Sequence, residues 1–359
     1  MYVALAIASL GFLIVVHEGG HYFVARWCGM RIERFSVGFG PGILKRTSKK
    51  TGTTFQLAPI PFGGFVEIRG MNIAEDVDPD DKFAYPNRPV WQRFITIFAG
   101  PATNYLSAIA LAFAIYALHG IDTPTWWGVG SVVADRYDLQ GHHFDAYGRL
   151  EAGDRITKLN GQPLFINSSP TLTERINQSK DAPVTLTIER DGRTLDVKLR
   201  PQQSKNATGD VIWIIGVNLE HQARVGEVGL GEALRQALIY PVEQTKMIGR
   251  VLYGVVSGAE KADPGGPVRM VEEFYKAFSI SIVEGIKLLM LLSVYLGLFN
   301  LLPIPALDGG RLVFLIYEMV TRRRANPKIE TMVHMAGIMA LGVVMLVVLY
   351  IDLRRVIHL

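Results

Sequence analysis

The chain has 359 residues, 49% of them hydrophobic and 19% charged, with a formal net charge of +4. A mean hydropathy of +0.22 is too apolar for an ordinary soluble domain, and the charge content is too high for membrane helices alone. The basic residues flank apolar segments (Arg31, Arg34, Lys45, Arg46, Lys49, Lys50; Arg322, Arg323, Arg324, Lys328), which reads as membrane topology and argues against a nucleic-acid partner.

Residues 1–27 form the first expected span. Met1 to Val16 carry no charge, and neither a basic start nor a small-residue cleavage site marks a removable signal peptide. The span runs into His17-Glu18-Gly19-Gly20-His21. On a helix, residues four apart share a face, so His17 and His21 can grip one metal ion while Glu18 reaches a bound water. The lone Cys28 lies near the helix end and excludes an internal disulfide. Residues 28–92 are read as a β-hairpin region and loop, from the alternation of apolar residues with glycines across 32–69. An acidic turn at 75–81 reads as solvated loop.

Residues 93–120 hold a second span, without charge from Phe94 to Leu118, in which Gly100-Pro101 and Asn104 mark a local break. A change of composition then announces a soluble α+β module at 121–202. Its signals are Asn160-Gly161 and Asp191-Gly192 turns, a polar helix near 169–177, and strands at 184–189 and 194–199. A tail strand and an amphipathic helix follow at 203–275, the helical pattern running from Gly229 to Gly258. The third span, within 276–311, carries Glu284, Lys287 and Asn300, and polar residues at membrane depth face a cavity or a partner. A basic loop at 312–331 and a last span within 332–359 complete four crossings. Basic loops at 26–93 and 311–330 put both on the cytoplasmic side and the module on the other.

Zinc chemistry needs a third protein ligand and an open position for water. Asp308 is the candidate, in Asn300-Leu301-Leu302-Pro303-Ile304-Pro305-Ala306-Leu307-Asp308-Gly309-Gly310. Two prolines stop the helix there, and irregular backbone at membrane depth must line a protein cavity. A capping aspartate in a loop is the plainer alternative. Two histidines and a carboxylate also suit non-haem iron, although a membrane oxygenase would carry several His-rich boxes and this chain has one. His142 and His143 fall in the module; His119, His221, His334 and His358 are isolated and read as surface or interfacial residues.

These residues together resemble the site-2 protease family of intramembrane metalloproteases. The matching segments are His17 to Arg26, Phe35 to Pro41, Pro59 to Gly70, Phe98 to Asn104 and the Asn300 to Gly310 run. Gly148 to Leu164 and Val184 to Leu199 are similar to a PDZ domain, which points to the bacterial regulator-of-sigma-E protease branch. The space between Asp122 and Gly226 fits one such domain, and Tyr137 to Tyr147 replaces the small-residue segment usual there.

The resemblance implies a polytopic α-helical membrane protein with a membrane-associated β-hairpin region and an inserted PDZ-like domain. It implies one Zn²⁺ on His17, His21 and Asp308, with Glu18 as general base. Asn300, Pro303, Pro305, Gly63, Gly64 and Phe65 would contact the substrate. The partners would be single-span membrane proteins within a lipid bilayer, as substrates of regulated intramembrane proteolysis in the bacterial inner membrane. The PDZ-like domain would act on the outer side, by binding a peptide or as a steric gate. A membrane adaptor with a degenerate metal site is the alternative, and the intact Glu18 argues against it.

Overall fold

The computed structural model describes residues 1–72, 77–132, 138–164, 171–205, 211–258 and 265–357. The start of the acidic turn at 75, Tyr137, the start of the polar helix at 169 and His358 lie outside them. The chain divides into two compact units, Met1–Leu118 with Gly229–Leu359, and His119–Val228.

The first unit opens with α1 (Tyr2–Trp27), stopped at Cys28 and at Gly29, whose φ is +72°. Four strands follow: β1 (Ile32–Phe39), β2 (Leu44–Thr47), β3 (Thr54–Leu57) and β4 (Ile60–Ile68). Their order is β2-β3-β1-β4. Only β2 and β3 make the expected simple hairpin; β3 lies parallel to β1, and β4 closes antiparallel to β1 with Phe35 opposite Val66. Gly38 and Gly40, at φ +90° and +103°, let the chain swing outward after β1, so the hairpin folds back with β3 innermost. Helix α2 (Val90–Leu118) is continuous through Pro101, where a break was expected. Pro101 removes only the one helical bond that its amide would donate to the Ile97 carbonyl, and the helix continues on either side of it.

The second unit contains β5 (Ile121–Val132), β6 (Arg155–Leu159), β7 (Gln162–Pro163), α3 (Leu172–Ser179), β8 (Val184–Arg190), β9 (Arg193–Leu199), β10 (Gln202–Lys205), β11 (Val211–Ile214) and β12 (Val217–Gly226). The main sheet runs β12-β5-β6-β8-β9, with β7 paired to β6. Asn160-Gly161 (φ 51°, 77°) and Asp191-Gly192 (φ 49°, 75°) both supply the double positive φ of a tight hairpin turn. Thr171 and Glu174 form a reciprocal capping box on α3. Val129, Ile156, Leu172, Leu186, Ile188 and Leu199 make the core. The sheet does not end near 202, because β12 pairs with β5 from Val217–Val132 to Gly226–Ile121.

Back in the first unit come α4 (Leu230–Val256), α5 (Pro267–Ile280), α6 (Ile282–Leu301), α7 (Asp308–Thr321) and α8 (Pro327–Ile357). Among the described residues, four helices are long and apolar enough to cross a membrane: Tyr2–Trp27, Val90–Leu118, Ile282–Leu301 and Lys328–Asp352. The apolar stretch expected to begin near 277 is split at Ser281, which is fully extended and whose hydroxyl caps α6 by accepting from the Glu284 amide at 3.1 Å. Much of the expected 312–331 loop is α7. Leu10, Leu13, Phe274, Phe278 and Leu289 seal α1 against α5 and α6. Gly297 brings α6 onto the Pro101 carbonyl and Tyr105 ring of α2.

Candidate metal centre

Two glycines place the histidines. A Cβ on Gly20 would collide with the Ala99 carbonyl of α2, and one on Gly100 would collide with the His21 ring. Each helix is therefore bare where the other approaches, and the Thr103 hydroxyl donates across the seam to the Val16 carbonyl at 2.9 Å. His17 and His21, at 8% and 7% exposure, sit edge to face with ring centroids 4.9 Å apart.

Asp308 comes from the first turn of α7. The chain leaves α6, turns at Pro303 and Pro305, and folds back over that turn. Gly309 and Gly310 permit the return, since a Cβ on the first would strike the Leu302 carbonyl and one on the second would lie 2.6 Å from the Ile304 oxygen. Asp308 Oδ2 then stands 3.2 Å from His17 Nε2 and 3.3 Å from His21 Nε2. Oδ2 is buried and has no hydrogen-bond partner. Tetrahedral zinc with ligands at 2.0–2.1 Å separates its donors by about 3.4 Å, so the three side chains fit such an ion. All three donor atoms lie within 4.8 Å of one another.

The far ring nitrogens are held as a metal site requires. His21 Nδ1 donates to the Thr96 carbonyl at 2.8 Å, leaving Nε2 free. His17 Nδ1 is 3.0 Å from the side-chain amide of the fully buried Asn104. A metal-bound His17 carries its proton on Nδ1, and Asn104 accepts it once its amide oxygen faces the ring. Glu18, beside His17, meets the Val66 backbone amide of β4, and Gly64 passes close to its Cγ. β4 is the outermost strand of its sheet, so its other edge is unpaired among the described residues.

The sequence pattern of peptidase family M50 matches residues 5–345. The chain belongs to peptidase family M50. Among relatives, a candidate zinc metalloprotease of Brucella suis is 33% identical over 335 residues, covering 86% of this chain and 83% of its own. The regulator of sigma-E protease RseP of Escherichia coli is 28% identical, with 97% of each chain covered. The PDZ domain of an SdrC-like protein from Listeria monocytogenes aligns at 22% identity over 27% of this chain and 90% of that one, with a TM-score of 0.22. This M50 chain is an intramembrane zinc metalloendopeptidase that acts on membrane-embedded substrates, with a metal-binding triad among its span-length helices and an inserted PDZ-like domain.

The remaining expected residues of this M50 protein have local partners of their own. Asn300 donates to the Leu296 carbonyl of its own helix at 2.9 Å. Pro305 is the first central residue of a turn closed by the Leu307 amide on the Ile304 carbonyl, 3.2 Å. Gly63 packs against the Phe39 ring, and the Arg34 guanidinium lies 6.0 Å from the Phe65 ring. His119, His142 and His143 are exposed, but His334, expected to be a surface or interfacial residue, is 9% exposed and bonded to the turn before Asp308. Asn104, the Thr96 carbonyl and His334 were not assigned to the site from the sequence, which offered Asn104 only as part of a break and His334 as a surface or interfacial residue. Asn104 could have been, as a hydrogen-bonding amide in a charge-free span.

In the PDZ-like unit, a cleft of about 240 Å³ lies between α3, β11 and the edge strand β12. Trp127, Ile176, Trp213, Ile215, Val217 and Leu219 line it. Asp138, in the segment that departs from the family pattern, accepts from the amides of Gln140 and His142 and from Gln202. The His142 amide, ahead of other causes, holds its carboxyl below the usual range.

Proposed function

We propose that one zinc ion is held by His17, His21 and Asp308, and that Glu18 is the general base of peptide-bond hydrolysis. Bound there, zinc supplies a Lewis acid and a water acidified toward neutrality. Glu18 takes that water's proton as the oxygen attacks the peptide carbonyl, then passes it to the departing amine. Thr96 and Asn104 keep the two imidazoles aimed through their Nε2 atoms. Asn300 retains a second amide N–H with which to meet the developing oxyanion.

The substrate is a membrane helix, whose carbonyls are shielded by its own hydrogen bonds until it unwinds. The free edge of β4, running past Glu18 through Gly63, Gly64 and Phe65, takes the unwound stretch as an added strand. Pro303 and Pro305 border the same space. Single-span regulators of the anti-sigma-factor type, or remnant signal peptides, present such helices. The chain sits in the inner membrane with its basic loops in the cytoplasm and the PDZ-like domain outside. That domain acts as a steric gate against bulky outer domains; its apolar cleft beside β12 supports peptide binding as the second reading.

The carrying observation is the convergence of three donor atoms within 4.8 Å, next to Glu18, with both histidines on a helix of membrane-spanning length. Co-expression with tagged single-span membrane proteins, comparing wild type with Glu18→Gln, tests it. A shorter fragment made only by the wild type supports the reading. Equal fragment patterns with bound zinc in both would sink the assignment of Glu18.

A further inference from the structure

Helix α8 meets the rest of its unit sparingly. Only 6% of its most apolar 18-residue window is buried, and among its described residues only His334 and Asp352 are buried. Their separation, 352 − 334 = 18 residues, is five helical turns, so both lie on one face. Withdrawing two polar side chains on an otherwise bare apolar helix is costly unless each has a partner. Asp352 has one in α5: its carboxylate accepts from the Arg269 amide at 3.4 Å, in the first turn of that helix.

His334 Nδ1 accepts the backbone N–H of Ala306 at 3.3 Å. Ala306 is the second central residue of the Ile304–Leu307 turn, with Pro305 before it and a φ of +80°. That is type II geometry, which favours glycine and leaves the central amide pointing away from the turn with no partner inside it. An alanine there is strained by on the order of 1 kcal/mol. Gly337, one turn further along the same face of α8, lies so close to Pro305 that a Cβ has no room. Two residues after Ala306 comes Asp308.

We propose that His334 is a positioning residue for the metal centre: by accepting the Ala306 amide it pins the strained Pro305–Ala306 turn to α8 and thereby fixes Asp308 against His17 and His21. The inference rests on Asp308 being a ligand. Zinc–ligand distances tolerate about 0.2 Å, so a turn released to a relaxed conformation moves the carboxylate out of range. Partners that orient metal ligands typically carry about 10–100-fold of metal affinity.

The test uses the full chain purified in detergent, with zinc affinity measured by competition against a chromophoric chelator and Co²⁺ absorption as a report on ligand geometry. His334→Phe keeps bulk and removes the acceptor; it is expected to weaken zinc about 10–100-fold and to alter the Co²⁺ band. His334→Asn places an oxygen where Nδ1 stood and is expected within about 3-fold of wild type. Gly337→Ala, pushing on Pro305 with His334 intact, is expected to weaken zinc, and Met335→Ala on the exposed face to leave it unchanged. Wild-type zinc affinity in His334→Phe, or equal impairment in Phe and Asn variants, overturns the inference. Should His334→Phe fail to fold, unchanged zinc binding in Gly337→Ala overturns it instead. Asp308→Ala separates the two claims: if it keeps zinc, the ligand assignment fails and this inference with it.

Discussion

Gly100→Ala tests how the two helices define the site. Gly100 is buried against His21, and a Cβ built there overlaps the ring at Nε2, the metal-binding atom. A methyl group and an aromatic nitrogen settle near 3.5 Å, so the ring or the α1–α2 seam must yield by roughly 1 Å. That is several times the tolerance of about 0.2 Å on a zinc–ligand distance. The hydrogen bond from His21 Nδ1 to Thr96, on the same helix α2, opposes any compensating swing of the ring. Zinc affinity should fall by at least about 100-fold, near 2.8 kcal/mol. Helix propensity works the other way, alanine being better than glycine by about 1 kcal/mol, so the fold should survive. Chelator competition, cleavage of a single-span substrate and circular dichroism separate these effects. Gly11→Ala is the control, because that position has nothing within 4 Å to meet a Cβ. A Gly100→Ala protein that binds zinc within about 3-fold of wild type and cleaves normally would refute the steric argument.

Ala306→Gly should relieve the positive-φ strain and raise thermal stability by about 1 kcal/mol, read as a higher melting midpoint in detergent. Glu318→Gln should cost about 3 kcal/mol in the same assay, because Arg93, buried on α2, is held by Glu318 of α7 at 2.5 and 3.1 Å and would be left uncompensated. Asp138 has a folded-state pKa below its unfolded one, so the stability it contributes is present above about pH 4 and is lost as the pH falls through the folded value. Amide protection factors over residues 138–146, taken against intrinsic exchange at each pH, should therefore fall on acidification, and Asp138→Asn should flatten that dependence.

The chemistry was legible in the sequence because metal ligation needs particular residue types at particular spacings. His17, His21 and Asp308 lie 291 residues apart at the extremes (308 − 17), yet each stands in a motif that announces a donor. What surrounds the donors was less legible. Gly100 read as part of a break and Gly20 only as a place in the metal motif, but their use here is to let two helices touch, and that depends on a partner the local pattern does not name. The break at Ser281 was hidden because hydropathy is blind to a capping hydroxyl inside an apolar stretch. The parallel placement of β3 beside β1, and β12 completing the module's sheet, are long-range pairings that alternation alone cannot specify. His334 looked interfacial because its value lies in one backbone amide across the fold.

The proposed strand addition at β4 makes substrate unwinding a measurable part of catalysis. Opening one turn of a substrate helix frees about four backbone hydrogen bonds, and leaving those groups unpaired in apolar surroundings costs about 1–3 kcal/mol each. β4 lies against Glu18 and offers an unpaired edge among the described residues, so it can return those bonds where the proton is transferred. What it cannot return is the intrinsic preference of the substrate for helix. Each alanine replaced by glycine at the scissile turn lowers that preference by about 0.9 kcal/mol, or about fourfold in kcat/KM if unwinding precedes chemistry. Three such replacements should therefore raise cleavage by nearly two orders of magnitude, with no change in the same substrates' zinc-independent stability in the membrane. Rates flat across that series would mean that helix opening contributes nothing to the barrier, and the role of the β4 edge would have to be abandoned.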